Sequence, residues 1–199
     1  MKKQSKQSRS VTPTHSDIVF LQGKKVTLRP LLEEDIPFLL KWINTEEVRR
    51  YLMRYTPATR KIEHDWLEYL HKNQDKDVCL VIQAGRRPIG TIHVRIDWKD
   101  RVGNIGIQIG EPVNQEKGYG TDAAMTILKY SFDTLNLRKL EWLANAINDR
   151  SIACAKRCGF KEEARLREEL FVDGKYCDQL IFGLFRHEWL PRWQTYQKK

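Results

Sequence analysis

The sequence predicts an α/β fold on a mixed, mostly antiparallel sheet, with one central parallel strand pair and helices flanking it. Three observations lead there. The alternating apolar runs 78–84, 88–98 and 102–110 are separated only by Gly85-Arg86-Arg87 and Lys99-Asp100-Arg101, links too short for a helix, so they are antiparallel neighbours. The run 140–146 follows a helical stretch from Gly118 to about Leu135, and such a crossover makes it parallel to 102–110. A last hairpin turns at Asp173-Gly174, a favoured two-residue turn.

The elements follow in order. Residues 24–31 alternate at Val26, Leu28 and Pro30 and form a first strand. Glu33-Glu34-Asp35 then supply the acidic start of a helix whose apolar stripe is Phe38, Leu39 and Trp42. Two short helices follow over 45–52 and 60–72, broken at Tyr55-Thr56-Pro57; the second carries Ile62, Trp66, Leu67 and Leu70 at helical spacing. In the crossover helix Ala124, Ile127, Leu128, Ser131 and Leu135 share one face. Asn148 or Asp149 caps the next helix, which ends at Gly159. No repeat or second domain interrupts this pattern, so 17–190 is one domain, with 191–199 a C-terminal tail.

Composition narrows the function. No apolar run approaches the roughly 20 residues that span a bilayer, and no apolar segment follows the basic N-terminus as in a signal peptide. A cytoplasmic protein with no membrane partner is expected, its four cysteines reduced. Cys154 and Cys158 stand one helical turn apart, but no second pair at zinc spacing accompanies them, so no metal is expected. The net charge of +9 attracts anions of any kind, from a phosphorylated cofactor to RNA or a ribosome. Part of it lies in 1–16, where Lys2, Lys3, Lys6 and Arg9 among Gln, Ser and Thr describe a disordered basic tail.

The most informative stretch is Gln115-Glu116-Lys117-Gly118-Tyr119-Gly120-Thr121, placed between a strand and a helix. The first amides of a helix lack intrahelical partners and sit at the positive end of its dipole, so this junction suits a phosphate. Gly118 and Gly120 let a ligand approach the backbone, while Gln115 and Lys117 add donors. The spacing Gln-x-x-Gly-x-Gly matches neither the dinucleotide fingerprint nor the P-loop.

The segment resembles the pyrophosphate-binding motif of the GNAT acyltransferase superfamily. The resemblance continues through 135–140, Asn148-Asp149-Arg150-Ser151, Lys156-Arg157-Cys158-Gly159-Phe160 and 173–178, and begins at Val26-Thr27-Leu28-Arg29-Pro30. It covers roughly Lys24 to Trp189 and points to the branch of ribosomal-protein N-terminal and spermidine acetyltransferases. It implies a GNAT-like sheet whose central parallel strands splay, with acetyl-coenzyme A in the opening. The cofactor set it implies is Gln115, Lys117, Gly118, Tyr119, Gly120, Thr121 and Asn148, with the main chain of Ile107, Gln108 and Ile109 pairing with the pantetheine and polarising the thioester.

The resemblance also marks a departure. Many members carry a tyrosine four residues before the Gly of the Gly-Phe pair, where it protonates the departing thiolate; Ala155 stands there. Ser151 and Tyr176 are the nearest hydroxyls by motif position. A base must deprotonate the amine, and Glu111 is the first candidate, ahead of His93 and Asp178. Each of these groups has an alternative reading as a cap, a hairpin residue or a surface ion pair. No nucleophile demands an acyl-enzyme, so direct transfer in a ternary complex is expected.

Acceptor choice in this family comes largely from the helices after the first strand and from the last hairpin. Here the segment Arg49-Arg50-Tyr51-Leu52-Met53-Arg54, with Trp42, Tyr55 and Trp66, is basic and aromatic. A polycation requires carboxylates, so this segment argues against spermidine and for an anionic acceptor, a peptide N-terminus or an amino sugar on a phosphate carrier. The main reading is a protein N-terminus as acceptor, with a protein N-terminus or the ribosome as the expected partner. The alternatives are a small-molecule amine such as a polyamine, aminoglycoside or amino sugar, or a non-catalytic module binding acyl-coenzyme A or RNA. A homodimer is left open.

Overall fold

The computed structural model describes residues 17–52 and 54–198, so the basic segment 1–16 lies outside the described residues. Eight strands form one sheet: β1 (Leu21–Gln22), β2 (Thr27–Pro30), β3 (Asp77–Ala84), β4 (Arg87–Asp97), β5 (Val102–Ile109), β6 (Lys139–Asn145), β7 (Lys161–Val172) and β8 (Lys175–Phe185). Their order is β1-β2-β3-β4-β5-β6-β8-β7, antiparallel throughout except for the parallel pair β5 and β6. This is the mixed sheet that the crossover predicts. The helices are α1 (Ile36–Asn44), α2 (Glu46–Arg49), α3 (Arg60–Lys72), α4 (Tyr119–Lys129), α5 (Asp149–Cys158) and α6 (Arg186–Lys198).

Alternation along the strands divides the core in two. Leu80, Ile82, Ile92, Val94, Ile105, Leu140, Trp142, Leu180 and Phe182 form one buried cluster with Ala123, Ile127 and Leu128 of α4, Cys154 and Cys158 of α5, and Trp189 of α6. Val81 and Cys79, on the other face, meet Leu39 and Trp42 of α1 and Leu67 and Leu70 of α3. Each such side chain contributes about 1.5–3 kcal/mol on burial, and the two clusters hold the sheet from both sides. Below α1, Arg29 and Asp35 form a buried bidentate pair at 2.7 Å, and Arg29 Nε also reaches Gln83 at 2.9 Å, tying β2 to β3.

Several boundaries differ from the sequence reading, each for a tertiary reason. β1 comes from a stretch with too little alternation to predict; Leu21 pairs with Leu28 only because β2 lies beside it. α2 closes after Arg49, four residues long, shorter than the predicted 45–52. The predicted helix 118–135 is α4 followed by a π turn over Tyr130–Thr134, where the Leu135 amide reaches back to the Tyr130 carbonyl at 3.1 Å. The segment 191–198 continues α6 and docks on the domain, with Trp193 and Tyr196 packed against the larger core cluster.

Candidate active site

The parallel pair β5 and β6 stays together for only part of its length. Val102 pairs with Lys139, and the register continues through Ile105 and Trp142. Beyond those residues β5 runs on to Ile109 held only by β4, and β6 to Asn145 held only by β8. The strands therefore part.

Antiparallel alternation fixes which main-chain groups look into the gap. The Gly110 amide donates to the Ile89 carbonyl at 2.8 Å, so Ile109 and Ile107 occupy positions whose N–H and C=O point away from β4, into the opening. By the same alternation Gln108 aims its main chain at Thr91 on β4 and not into the gap. Across the opening, the Ala146 amide donates to the Asp178 carbonyl at 2.9 Å, which leaves the main chains of Leu143 and Asn145 facing β5.

The glycine turn closes one end of this opening. A short 3-10 turn, Pro112–Asn114, leads into it, and Glu116 and Gly118 take positive φ angles of 60° and 81°. Gly118 is the N-cap of α4, and the first amide to bond back within the helix is that of Asp122, to the Gly118 carbonyl at 3.0 Å. The amides of Tyr119, Gly120 and Thr121 thus have no intrahelical acceptor, and successive N–H groups around a left-handed residue form an anion-binding concavity. A Cβ on Gly120 would make ordinary contacts with Ile107, Ile109 and Cys154 at 3.7–4.0 Å, so this residue rests directly on the strand that borders the gap. Thr121 Oγ1 lies 3.7 Å from Cys154 Sγ.

Charge gathers at the same turn from distant positions. Lys25 Nζ donates to the Lys117 carbonyl at 3.0 Å, and Arg150 Nη1 donates to Gln115 Oε1. Lys25 is held there by Asp122, whose buried carboxylate accepts the amides of Lys24, Lys25 and Val26 at 3.0, 2.6 and 2.9 Å as well as the Tyr196 hydroxyl. Sequence reasoning missed Lys25 and Arg150. Arg150 stands inside the motif Asn148-Asp149-Arg150-Ser151, but nothing local in the sequence relates Lys25 to a turn 92 positions away.

The proposed proton-transfer groups do not converge. Both oxygens of Glu111 are taken, Oε1 by Lys41 at 2.7 Å and Oε2 by Arg87 at 2.6 Å. The Lys41 hydrogen bond, with Arg87 behind it, holds the carboxyl below its usual range, which makes it a weak base. Asp178 is similarly engaged by the Glu168 amide and Arg165, and its pKa is lowered in that order of cause. His93 lies on the α1 face of β4, and burial pushes its pKa down, leaving the imidazole neutral. Tyr176 is an exposed residue at the β7–β8 hairpin, packed on Phe171 at 5.1 Å. Ser151 lies in the first turn of α5, under the Asn148 cap: its amide donates to Asn148 Oδ1 at 3.1 Å, and its Oγ accepts from Trp142 Nε1 at 2.9 Å. The serine proton is thereby left available to another acceptor.

The residues after α2 meet the last hairpin and α5. Arg50 Nε pairs with Asp173 Oδ2 at 2.6 Å, and the guanidinium carbons of Arg50 and Arg150 lie 5.8 and 5.6 Å from the centre of the Tyr51 ring. Arg54 pairs with the buried Glu63 at 2.9 Å. The basic segment expected to govern acceptor choice is thus anchored to both α5 and the last hairpin. Among the described residues no group of three or more His, Cys, Asp or Glu side chains could hold a metal ion, and no helix is long and apolar enough to cross a membrane.

Comparison with known proteins agrees with this geometry. A family model described as acetyltransferase (GNAT) domain matches residues 25–161. The chain is 29% identical over 171 residues to spermidine N(1)-acetyltransferase of Escherichia coli (strain K12), covering 85% of this chain and 91% of that protein. It is 30% identical over 158 residues to human alpha/beta-tubulin-N-acetyltransferase 9, covering 72% and 76%. Among solved structures it is similar to spermidine N-acetyltransferase from Vibrio cholerae in complex with CoA and spermine, with a TM-score of 0.77 and 26% identity over 83% of this chain and 98% of that one.

Proposed function

The chain belongs to the GNAT acetyltransferase family, and from that membership we propose that it acetylates the primary amine of a small-molecule acceptor, by direct attack in a ternary complex. Acetyl-coenzyme A is the cosubstrate and supplies the activated acetyl group. The observation that carries the reading is the parting of β5 from β6 beside the free amides of α4. Such an opening offers unpaired main-chain groups to an amide-bearing arm at the same end as a phosphate site.

In this reading the pyrophosphate lies on the amides of Tyr119, Gly120 and Thr121, with Gln115, Lys117 and Gly118 around it. Ile107 and Ile109 orient the pantetheine from one strand, with Asn148 near the other. An amide of this strand aimed at the thioester oxygen contributes a few kcal/mol to the reaction, as preorganised donors do. Ser151 gives its free proton as a hydrogen bond to the departing sulfur, in the absence of a tyrosine at Ala155. A thiol pKa near 8.5 makes that departure undemanding. His93 is a better candidate proton acceptor than Glu111, because both oxygens of Glu111 are ion-paired while the His93 ring lies against Gly106, next to Ile107.

The names of the relatives, which include spermidine acetyltransferases, support a small-molecule acceptor ahead of a protein N-terminus. Membership of an acetyltransferase family sets aside the non-catalytic module. The test is thiol release from acetyl-coenzyme A across spermidine, aminoglycosides, amino sugars, amino-acid amides and peptides with free N-termini, with Gly120→Trp as the blocked control. Acceptor-dependent release that disappears in the control is expected. Release with peptides alone would return the weight to the protein N-terminus.

A further inference from the structure

If the pyrophosphate lies on the turn before α4, as proposed above, the last turn of α6 acts on the same site. The link is a single carboxylate. Asp122, in the first turn of α4 and only 1% exposed, accepts three successive main-chain amides. Lys24 donates to Oδ1 at 3.0 Å, and Lys25 and Val26 donate to Oδ2 at 2.6 and 2.9 Å. A buried carboxylate persists only where donors surround it, and these come from a loop 96–98 positions away. The fit is close: a Cβ on Gly23 would come within 2.7 Å of Asp122 Oδ2 and 2.8 Å of Thr126 Oγ1.

The end of α6 closes this arrangement. The Tyr196 hydroxyl donates to Asp122 Oδ1. Burial, and then that hydrogen bond, push the pKa of the phenol up, so it keeps the proton it donates. Lys24 Nζ in turn donates to the carbonyls of Tyr196 and Gln197 at 2.6 and 3.2 Å and lies 4.7 Å from the centre of the Tyr196 ring. A cation suits the last turn of a helix, where carbonyls lack intrahelical partners. Tyr196 is itself fixed by packing, its ring 5.8 Å from that of Trp193, which stacks at 5.7 Å on the fully buried Trp189.

By charge alone Asp122 opposes an anion on the amides of Tyr119, Gly120 and Thr121, since it places a carboxylate one turn into the helix whose dipole would attract that anion. What it contributes is Lys25. With the amides of 24–26 fixed, the Lys25 side chain starts from a fixed backbone, and its Nζ is held 3.0 Å from the Lys117 carbonyl. A lysine ordered before the ligand arrives does not lose its rotamer freedom on binding. We infer that Asp122 and Tyr196 are positioning residues of the cofactor site, which act through the loop 24–26 by holding Lys25 in place for the phosphates of coenzyme A.

The test measures coenzyme A and S-acetylpantetheine binding by calorimetry in Asp122→Asn, Tyr196→Phe, Lys25→Met and the two doubles with Lys25→Met. Urea unfolding confirms that each variant folds. Asparagine keeps the shape of the side chain but offers one acceptor oxygen where the carboxylate offers two. Coenzyme A binding should weaken about tenfold in Asp122→Asn, although a negative charge near the phosphate has gone, and about threefold in Tyr196→Phe. Neither change should cost anything further once Lys25 is Met, because the effect passes through that residue. S-acetylpantetheine should bind every variant alike, and the KM for acetyl-coenzyme A should rise with kcat kept. Tighter coenzyme A binding in Asp122→Asn would show that only its charge matters. That result, equal losses with and without Lys25, or equal losses on both ligands, would overturn the inference. If Asp122→Asn does not fold, Tyr196→Phe, which removes a single hydroxyl, decides by the same criteria. A parent that binds coenzyme A no better than S-acetylpantetheine would instead overturn the phosphate site on which the inference rests.

Discussion

Lys25 Nζ donates to the main-chain carbonyl of Lys117 at 3.0 Å, joining the loop before β2 to the turn before α4. The cation is held where phosphate is expected, and Lys25→Met should weaken coenzyme A binding. A charge-assisted hydrogen bond is worth about 1.5–3 kcal/mol, so a loss of roughly ten- to a hundredfold is expected by calorimetry. Binding of S-acetylpantetheine, which lacks the phosphates, should not share that loss. An equal loss on both ligands would show that Lys25 acts through the fold and not through phosphate.

Two glycines of one turn should respond in opposite ways. Gly118 has φ +81°, and Lys25 Nζ lies only 3.1 Å from a would-be Cβ, so Gly118→Ala should lower stability by about 1–2 kcal/mol. Gly120 lies in the helix with room for a methyl, so Gly120→Ala should raise stability by up to about 1 kcal/mol while reducing cofactor affinity. Urea unfolding alongside calorimetry checks both, and a destabilised Gly120→Ala would contradict the packing described.

Cys154 should report cofactor occupancy. Its pKa is held down by a hydrogen bond from Cys158, and that same bond together with burial pushes Cys158 well up. Alkylation by iodoacetamide, followed by mass spectrometry, should label Cys154 before Cys158. Coenzyme A should slow the labelling of Cys154, which lies against Gly120 and Thr121, and leave Cys177 on β8 unprotected. Unchanged Cys154 labelling would place the cofactor elsewhere.

The ion cluster around Glu111 should appear in acid stability. Its folded pKa lies below the ordinary 4.5, because of the Lys41 hydrogen bond and the Arg87 charge. A depressed carboxylate stabilises the fold above its unfolded pKa and loses that contribution as pH falls through the folded value. Glu111→Gln should therefore flatten the stability profile below about pH 4.5 and change stability at neutral pH by no more than about 1 kcal/mol, as partly exposed pairs do. Chemical denaturation from about pH 3 to about pH 7 measures the slope. Identical slopes in parent and variant would deny the cluster that role.

Much of this fold is legible in the amino-acid sequence because the patterns that decide it are local. Strand alternation, the helical stripe from Gly118, the Asn148 cap and the Asp173-Gly174 turn each depend on residues a few positions apart, so the parallel crossover and the anion turn can be read directly. Where tertiary contacts intervene, local patterns are insufficient. Leu21–Gln22 becomes a strand only beside β2, 191–198 stays helical where Trp193 and Tyr196 pack on the core, and the helix from Gly118 changes its winding at Tyr130.

The site divides in the same way. The sequence by itself determined the ligand chemistry, because a glycine turn opening a helix presents free amides wherever it occurs. Only the tertiary structure decided where β5 leaves β6, that Lys25 reaches the turn through Asp122, that Tyr196 meets the same carboxylate, and that Glu111 is bound on both oxygens. Those outcomes depend on which distant groups meet, and a one-dimensional pattern does not contain the distances that decide whether a charge is free or already paired.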